Sequence, residues 1–322
     1  MIEIFGTMFL LMFLGVPIYY VLAGACVVYF GINGIPIWTV IQRQFTGLNT
    51  FVQVAIPMFI LAGNLMDAGG ALDRIVKFAE ATVGRFKGGM AHVNILASMM
   101  FAGVTGSAVA DVAALGPLEI EMMTSQKYDK EYATAVTVSS ACIGPIIPPS
   151  LPLIMFGVVS GTSVGALLMA GAVPGIVMGL ALMVQVVYIA HKYNLPTSRA
   201  YPFKEMLRTF LPAISAMSIV IIVLGGIYTG FFTPTEAAGV ACLVAFFLGK
   251  FVYKNLKWKD IPTILVKTAS TLGTCSAIFA VASCFSYAIT FENIPSKIAA
   301  ALLSISTNKY VFKCRSEEHT SE

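Results

Sequence analysis

The chain has 322 residues, 57% of them hydrophobic and 11% charged, with a mean hydropathy of +0.84. Ordinary soluble domains carry about 25% charge, so the composition excludes a soluble globular protein and predicts an all-α polytopic membrane protein. The net charge of +4 does not point to nucleic acid, because the basic residues fall in loops between apolar segments.

A membrane helix needs about 20 apolar residues. The first candidate span covers 4–30, interrupted at Gly15-Val16-Pro17. It runs well past a signal-peptide core and reads as a retained span. The second covers 51–67. Residues 71–90 set Leu72, Ile75, Val76, Phe78 and Ala79 against Asp73, Arg74, Lys77 and Glu80, which fits an amphipathic helix lying along the membrane. Residues 91–125 are apolar but broken at Thr105-Gly106-Ser107, and 132–160 are broken by Gly-Pro-Ile-Ile-Pro-Pro-Ser at 144–150. Further spans follow at 163–190, 209–229, 233–249 and 268–290; a last apolar stretch, 294–306, is short for a span.

Basic residues cluster after the 51–67, 91–125, 163–190 and 233–249 segments: Arg74 and Lys77, Lys127 and Lys130, Lys192 and Lys204, Lys250 to Lys267. The positive-inside rule places all four groups in the cytoplasm. That parity holds only if 91–125 enters and leaves on one side, as a re-entrant hairpin with its tip at Thr105-Gly106-Ser107. Legs of roughly 15 residues reach about 22 Å at 1.5 Å per residue, so the tip stops inside the membrane. Two full crossings with a tight turn keep the same parity but need longer legs.

Proline lacks an N–H and clashes with the carbonyl four residues back, so no continuous helix survives Pro145, Pro148 and Pro149. Freed backbone groups at membrane depth are tolerated only inside protein or facing a polar cavity. Transporters use such broken spans to offer bare carbonyls to a cation. Candidate ion- or substrate-binding residues are therefore Thr105, Gly106 and Ser107 at the hairpin tip, and Gly144, Ile147, Pro148, Pro149 and Ser150 at the proline break. Thr105, Ser107, Gly144, Ile147 and Pro149 are the candidate metal ligands, mostly through backbone carbonyls. The competing readings are a small-residue packing site for the tip and a mere kink for the break, although one proline suffices for a kink. Ser150 either adds a hydroxyl or caps the second half-helix. Asp111, four residues past Ser107, is a functional candidate as an intramembrane acid; it lines an ion path or takes a proton, or else it caps or pairs to hold the hairpin's shape.

Other polar residues read as structural. Asn64 and Asp67 mark a helix end. Thr233 or Thr235 caps a helix whose first turn holds Glu236. Glu119 and Glu121 read as solvated at the hairpin foot, and Trp38 and Trp258 as interface anchors. The six cysteines show no metal spacing, and the three histidines are scattered. No phosphate-binding Gly-rich loop, GxSxG or HExxH occurs, so an ATP-driven pump is unsupported and an enzyme is not expected.

Leu14 to Gly24 aligns with Phe231 to Ala241, proline on proline, and Phe59 to Ile75 aligns weakly with Phe285 to Ala301. Similar segments starting on opposite sides predict an inverted repeat. The first repeat then covers 1–208, and the connecting span with the start of the second repeat covers 209–306, so that the second repeat is incomplete. Residues 307–322 are polar, lack apolar period and read as a non-native tail on a truncated frame.

Four stretches carry a family resemblance: FILAGNLM (59–66), GSAVADVAALG (106–116), IGPIIPPS (143–150) and GFFTPTEAAGVA (230–241). In this order they resemble the large membrane subunit of TRAP (tripartite ATP-independent periplasmic) transporters, over residues 1 to 306. The resemblance implies an elevator-type transporter of the bacterial inner membrane, importing small organic acids such as dicarboxylates or sialic acids. It implies Na+ as the coupling ion and no organic cofactor. It also implies two partners, a small membrane subunit and a periplasmic solute-binding protein that would hold much of the selectivity. The alternatives are an ion-coupled carboxylate symporter that works without a binding protein, or a channel-like membrane subunit.

Overall fold

The structure is a computed structural model and describes residues 2–49, 51–198, 201–294 and 296–297. Among the described residues there are thirteen α-helices and no β-strand beyond an isolated bridge between Lys87 and Thr197. In chain order they are α1 (Ile2–Phe13), α2 (Ile18–Ile32), α3 (Trp38–Leu48), α4 (Ala55–Ala68), α5 (Ala71–Val83), α6 (Gly89–Thr105) and α7 (Ala108–Ser125), then α8 (Lys130–Ala141), α9 (Leu151–Ser160), α10 (Val164–Lys192), α11 (Phe203–Tyr228), α12 (Pro234–Phe247) and α13 (Ile261–Phe291). The chain divides into two compact units. One holds α1–α3 and the part of α13 from Thr274 onward; the other spans Thr50–Gly273.

In the first unit, residues 4–30 are not one interrupted span. Gly15 adopts φ +75° and Pro17 caps α2, and the chain doubles back there. Leu11 of α1 lies against Gly24 of α2, and Asn33 Nδ2 donates to Glu3 at 3.3 Å, so the helices run antiparallel. Proline removes a backbone donor but does not say whether the chain bends slightly or reverses. Here the left-handed glycine two residues earlier decides for reversal. Tyr29 and Phe30 are fully buried in this unit, with Cys26 and Cys284 beside them.

Among the described residues, four helical stretches are long and apolar enough to cross a membrane: Val164–Lys192, Lys204–Tyr228, Pro234–Val252 and Ile261–Phe291. They expose large apolar side chains, Val184, Leu211 and Leu243 among them, that water would not tolerate in such number. The chain is therefore an all-α polytopic membrane protein. Its helix ends follow local chemistry. Thr233 and Glu236 form a complete capping box on α12, with Pro234 in the first turn. Asp129 caps α8 by accepting from Glu131 N at 2.7 Å. The long α10 ends in His191 and Lys192, which favour the negative end of the helix dipole.

The helices α4 and α5 meet at Gly69-Gly70 with a bend of 70°. Gly69 packs against Gly249 beyond α12, backbone on backbone, which lets α4 lie closely along α12. The amphipathic α5 does not leave its apolar face to lipid. Ile75 and Ala79 are fully buried, with α6 and α11 packed over the helix. The helical period identifies an apolar face but not what covers it.

Candidate functional site

The breaks at 105–107 and 142–150 come together. The helix α6 closes at Thr105, whose side chain lies outside the described residues, and Gly106 takes φ +60°, a left-handed conformation that glycine adopts freely. Ser107 is extended and opens α7, its Oγ accepting from Ala110 N at 3.4 Å. At the second break, α8 stops at Ala141, the chain turns through 142–150, and α9 starts at Leu151. Ser150 Oγ accepts from Leu153 N at 3.3 Å and donates to the Pro145 carbonyl. Both serines are therefore N-caps, and Ser150 resolves toward capping.

Backbone meets backbone between the two breaks. Leu151 N donates to Gly106 O at 3.3 Å. A Cβ on Gly106 would run into the Pro149 carbonyl oxygen and come within 2.9 Å of Leu151 N. A Cβ on Gly144 would stand 3.2 Å from the Ser107 carbonyl carbon and 3.3 Å from Ala108 N. The Pro148 carbonyl oxygen lies over Gly103, 3.5 Å from where a Cβ would be. Gly103, Gly106 and Gly144 thus permit an approach that side chains would prevent. Ile147 packs by its side chain against Gly175 of α10, which holds the proline loop from the other side.

This geometry has two electrostatic consequences. The positive ends of α7 and α9 converge, and each helix N-terminus carries roughly half a positive charge. The Pro149 carbonyl oxygen lies against Gly106 at the hairpin tip and the Pro148 carbonyl oxygen against Gly103 of α6, and proline rings cannot donate to neighbouring carbonyls as an N–H would. Carbonyl and hydroxyl oxygens of this kind are hard donors suited to a small cation, while the helix ends suit an anion.

A cavity of about 340 Å³ opens beside the hairpin tip. Ser107 and Ala110 of the hairpin, Leu151 of α9, Asn64 and Asp67 of α4, and Lys267 of α13 line it. Lys267 and Asp67 pair at 3.4 Å, and Asn64 donates to Thr268 at 2.9 Å. Asn64 and Asp67 do close a helix, but they also line this cavity. Lys267 is not in a loop; it belongs to α13. Sequence reasoning missed this pair because its members are 200 positions apart.

Asp111 is not at the carbonyl cluster. It lies a turn further along α7, 1% exposed, with Ser98 of α6 facing it. Glu119 is not solvated: it is 3% exposed, whereas Glu121 is exposed as expected. Asp111, Leu115 and Glu119 follow at i, i+4 and i+8, one stripe that the packing turns inward. That spacing is readable in the sequence and would have placed Glu119 with Asp111.

Long apolar helices, two broken helical segments joined back to back and a lined cavity beside them define a multi-pass membrane transporter. Comparison with known proteins narrows the class. The chain matches the family described as "Tripartite ATP-independent periplasmic transporter, DctM component" over residues 5–313, and it belongs to that family. It is similar to the sialic acid TRAP transporter large permease protein SiaM of Vibrio cholerae serotype O1, at 39% identity over 96% of this chain and 72% of that protein. It is similar to the C4-dicarboxylate TRAP transporter large permease protein DctM of Rhodobacter capsulatus, at 34% identity over 96% of this chain and 74% of that protein. The sialic acid TRAP transporter permease protein SiaT of Haemophilus influenzae is 34% identical over 92% of this chain, which spans about half of it (48%). The chain is a large permease component of a transporter, and not an enzyme.

Proposed function

We propose that this chain is the solute-carrying membrane subunit of a sodium-coupled importer of small organic acids in the bacterial inner membrane. A periplasmic binding protein delivers the solute, and a small membrane subunit braces the carrier. The observation that carries this reading is the contact of the two breaks, Gly106 on Pro149 and Gly144 on Ser107. In this reading Na+ sits among the carbonyls of Thr105, Gly144, Ile147 and Pro149 with the Ser107 hydroxyl, and Gly106, Pro148 and Ser150 hold the shape. The α6–α7 hairpin and the α8–α9 break move together as an elevator. No organic cofactor takes part.

The solute binds in the adjacent cavity, whose volume of about 340 Å³ is at the small end of the usual 300–1,000 Å³. A carboxylate there meets the N-terminal end of α7 and the Lys267 ammonium. Lys267 is 61% exposed and Asp67 33%, and exposed ion pairs contribute at most about 1 kcal/mol. Exchanging Asp67 for a solute carboxylate therefore costs little. The relatives named for sialic acid and C4-dicarboxylates share this anionic chemistry.

Uptake into proteoliposomes tests the reading. The chain, its small subunit and its binding protein should together import a labelled organic acid only with an inward sodium gradient. Uptake that persists without the binding protein favours a self-sufficient symporter. Dissipative flux without either gradient or binding protein favours a channel-like subunit. Either result overturns the proposal.

A further inference from the structure

We propose that the second unit carries a seat for one phospholipid of the cytoplasmic leaflet, in the crevice where α8 and α10 flank α6. The helix α6 packs against both of the others, and a cavity of about 150 Å³ lies over its buried Ile95. Tyr132, Val136 and Ser139 of α8 form one wall, at i, i+4 and i+7 on a single helix face. Leu182, Gln185 and Ile189 of α10 form the other, at i, i+3 and i+7. Ser139 and Gln185 are exposed, so the crevice opens outward. Beside them Val138 and Val184 are 50% and 69% exposed, an apolar rim suited to lipid.

Three polar side chains line this crevice, and no described residue hydrogen-bonds to any of them. The Tyr132 hydroxyl is buried without a partner, although the stacked Tyr128 donates its own to Pro196 O at 3.0 Å. The remaining hydroxyls of α8 are engaged, all but one. Thr134 donates to Lys130 O at 2.8 Å, Ser140 donates to Asn94 Oδ1 at 2.7 Å, and Thr137 accepts from Asn94 Nδ2 at 2.7 Å. Ser139 is the exception. Gln185 is the first hydrogen-bonding side chain of α10 after a run of apolar residues from Val164. Polar groups left alone at membrane depth are costly, so these three call for a common partner.

Depth and chemistry select that partner. Lys130 and Lys192 mark the helix ends that the positive-inside rule puts in the cytoplasm. At 1.5 Å per residue, Tyr132 stands about 3 Å along α8 from Lys130, Ser139 about 14 Å, and Gln185 about 10 Å along α10 from Lys192. The headgroup layer takes roughly 5–8 Å on each side of the hydrocarbon. Tyr132 is then at headgroup level, and the other two lie just beneath, where glycerol esters meet acyl chains. Two hydroxyls and an amide can all donate, and the ester oxygens of a diacyl phospholipid only accept. A partner helix would bring no free backbone acceptors at this depth, since its carbonyls are bonded internally. The cavity is also smaller than the usual 300–1,000 Å³ of a site that encloses a whole ligand, at about half the lower figure. That suits one part of a molecule whose remainder lies in the bilayer. The proposal is independent of sodium coupling and of the solute.

The test is photocrosslinking of the purified full-length chain in phosphatidylethanolamine vesicles. These contain a phosphatidylethanolamine with a diazirine high on one acyl chain, and mass spectrometry of peptides locates the label. Leu211 and Ile214 of α11, exposed at a similar depth counted from Lys204, report ordinary lipid contact. Label at 132–139 and 182–189 should saturate as the probe fraction rises, while label at 207–214 should rise in proportion. Tyr132→Phe and Gln185→Leu should each lower crevice labelling about two- to tenfold, the worth of one hydrogen bond, and leave 207–214 unchanged. Saturation in the wild-type chain gives the answer even if a variant fails to fold. Proportional labelling in both places, or crevice labelling that neither substitution alters, overturns the proposal. So does loss of crevice labelling on adding the small membrane subunit, which makes the occupant a protein.

Discussion

Gly106→Ala is the sharpest perturbation of the joined breaks. The glycine has φ +60°, and a residue with a Cβ pays about 1–2 kcal/mol to hold a left-handed conformation. The added methyl would also run into the Pro149 carbonyl and press on Leu151 N at 2.9 Å and Ser150 Cα at 3.0 Å. Those are backbone atoms that cannot swing aside, and overpacking of this kind costs about 1–3 kcal/mol. The expected total is about 2–5 kcal/mol, released only by pushing the hairpin tip off the proline loop. Gly230→Ala supplies the control. Gly230 has φ +72° but nothing within 4 Å of its would-be Cβ, so it carries the backbone cost alone. Thermal unfolding of both variants in detergent, with sodium chloride or with choline chloride, reads the difference. If sodium binds as proposed, the wild-type midpoint is higher in sodium chloride and Gly106→Ala should lose that difference, while Gly230→Ala should lower the midpoint equally in both salts. A Gly106→Ala chain as stable as Gly230→Ala, with its sodium response intact, would refute the reasoning.

Three further outcomes follow from the same geometry. Ser107→Ala removes the cap of α7 and should cost about 1 kcal/mol, with sodium activation of uptake weakened and membrane insertion unchanged; an unaltered sodium response removes Ser107 from the ion site. Lys267→Gln should weaken apparent solute affinity about two- to fivefold, the worth of an exposed ion pair at up to about 1 kcal/mol, whereas Asp67→Asn should leave affinity equal or better; the reverse ranking in an uptake assay places the solute elsewhere. Thr233→Ala opens the capping box of α12 and should cost about 1 kcal/mol by unfolding midpoint, without changing the sodium dependence of uptake.

Much of this arrangement was legible in the chain because it is written in local chemistry. Three prolines in seven residues forbid a helix whatever surrounds them, and Thr-Gly-Ser ends one helix and starts the next. The capping box needs only Thr233 and Glu236, three positions apart. What was not legible depends on partners distant in sequence. Pro17 announces a break but not the reversal that folds α1 onto α2. The apolar face of α5 reads the same whether lipid or α6 and α11 cover it. Lys267 looks like one more loop lysine until α13 brings it to Asp67. Glu119 was read by its charge as solvated, yet its spacing from Asp111 already placed both on one stripe, which the packing then turned inward.

The three caps at Ser107, Ser150 and Thr233 show where local chemistry stops deciding. Each is a hydroxyl residue in extended backbone, accepting from the N–H three positions on. By sequence alone they are equivalent. Thr233 caps a helix whose entrance is exposed, and its Glu236 already supplies the negative charge that the helix end attracts. Neither Ser107 nor Ser150 has an acid in the first turn that reaches back to the cap. Asp111 sits in the first turn of α7 but turns inward toward Ser98. The helix ends at Ser107 and Ser150 thus keep their positive potential uncompensated, and the glycines bring them side by side. A positive potential left open beside a cavity attracts an anion, and the Pro149 carbonyl oxygen against Gly106 is the kind of donor that attracts a cation. Co-binding of the two there is cooperative by simple electrostatics, since each charge offsets the repulsion the other would meet alone. Under the proposed function, that is how one small region of backbone would couple a sodium ion to an organic acid.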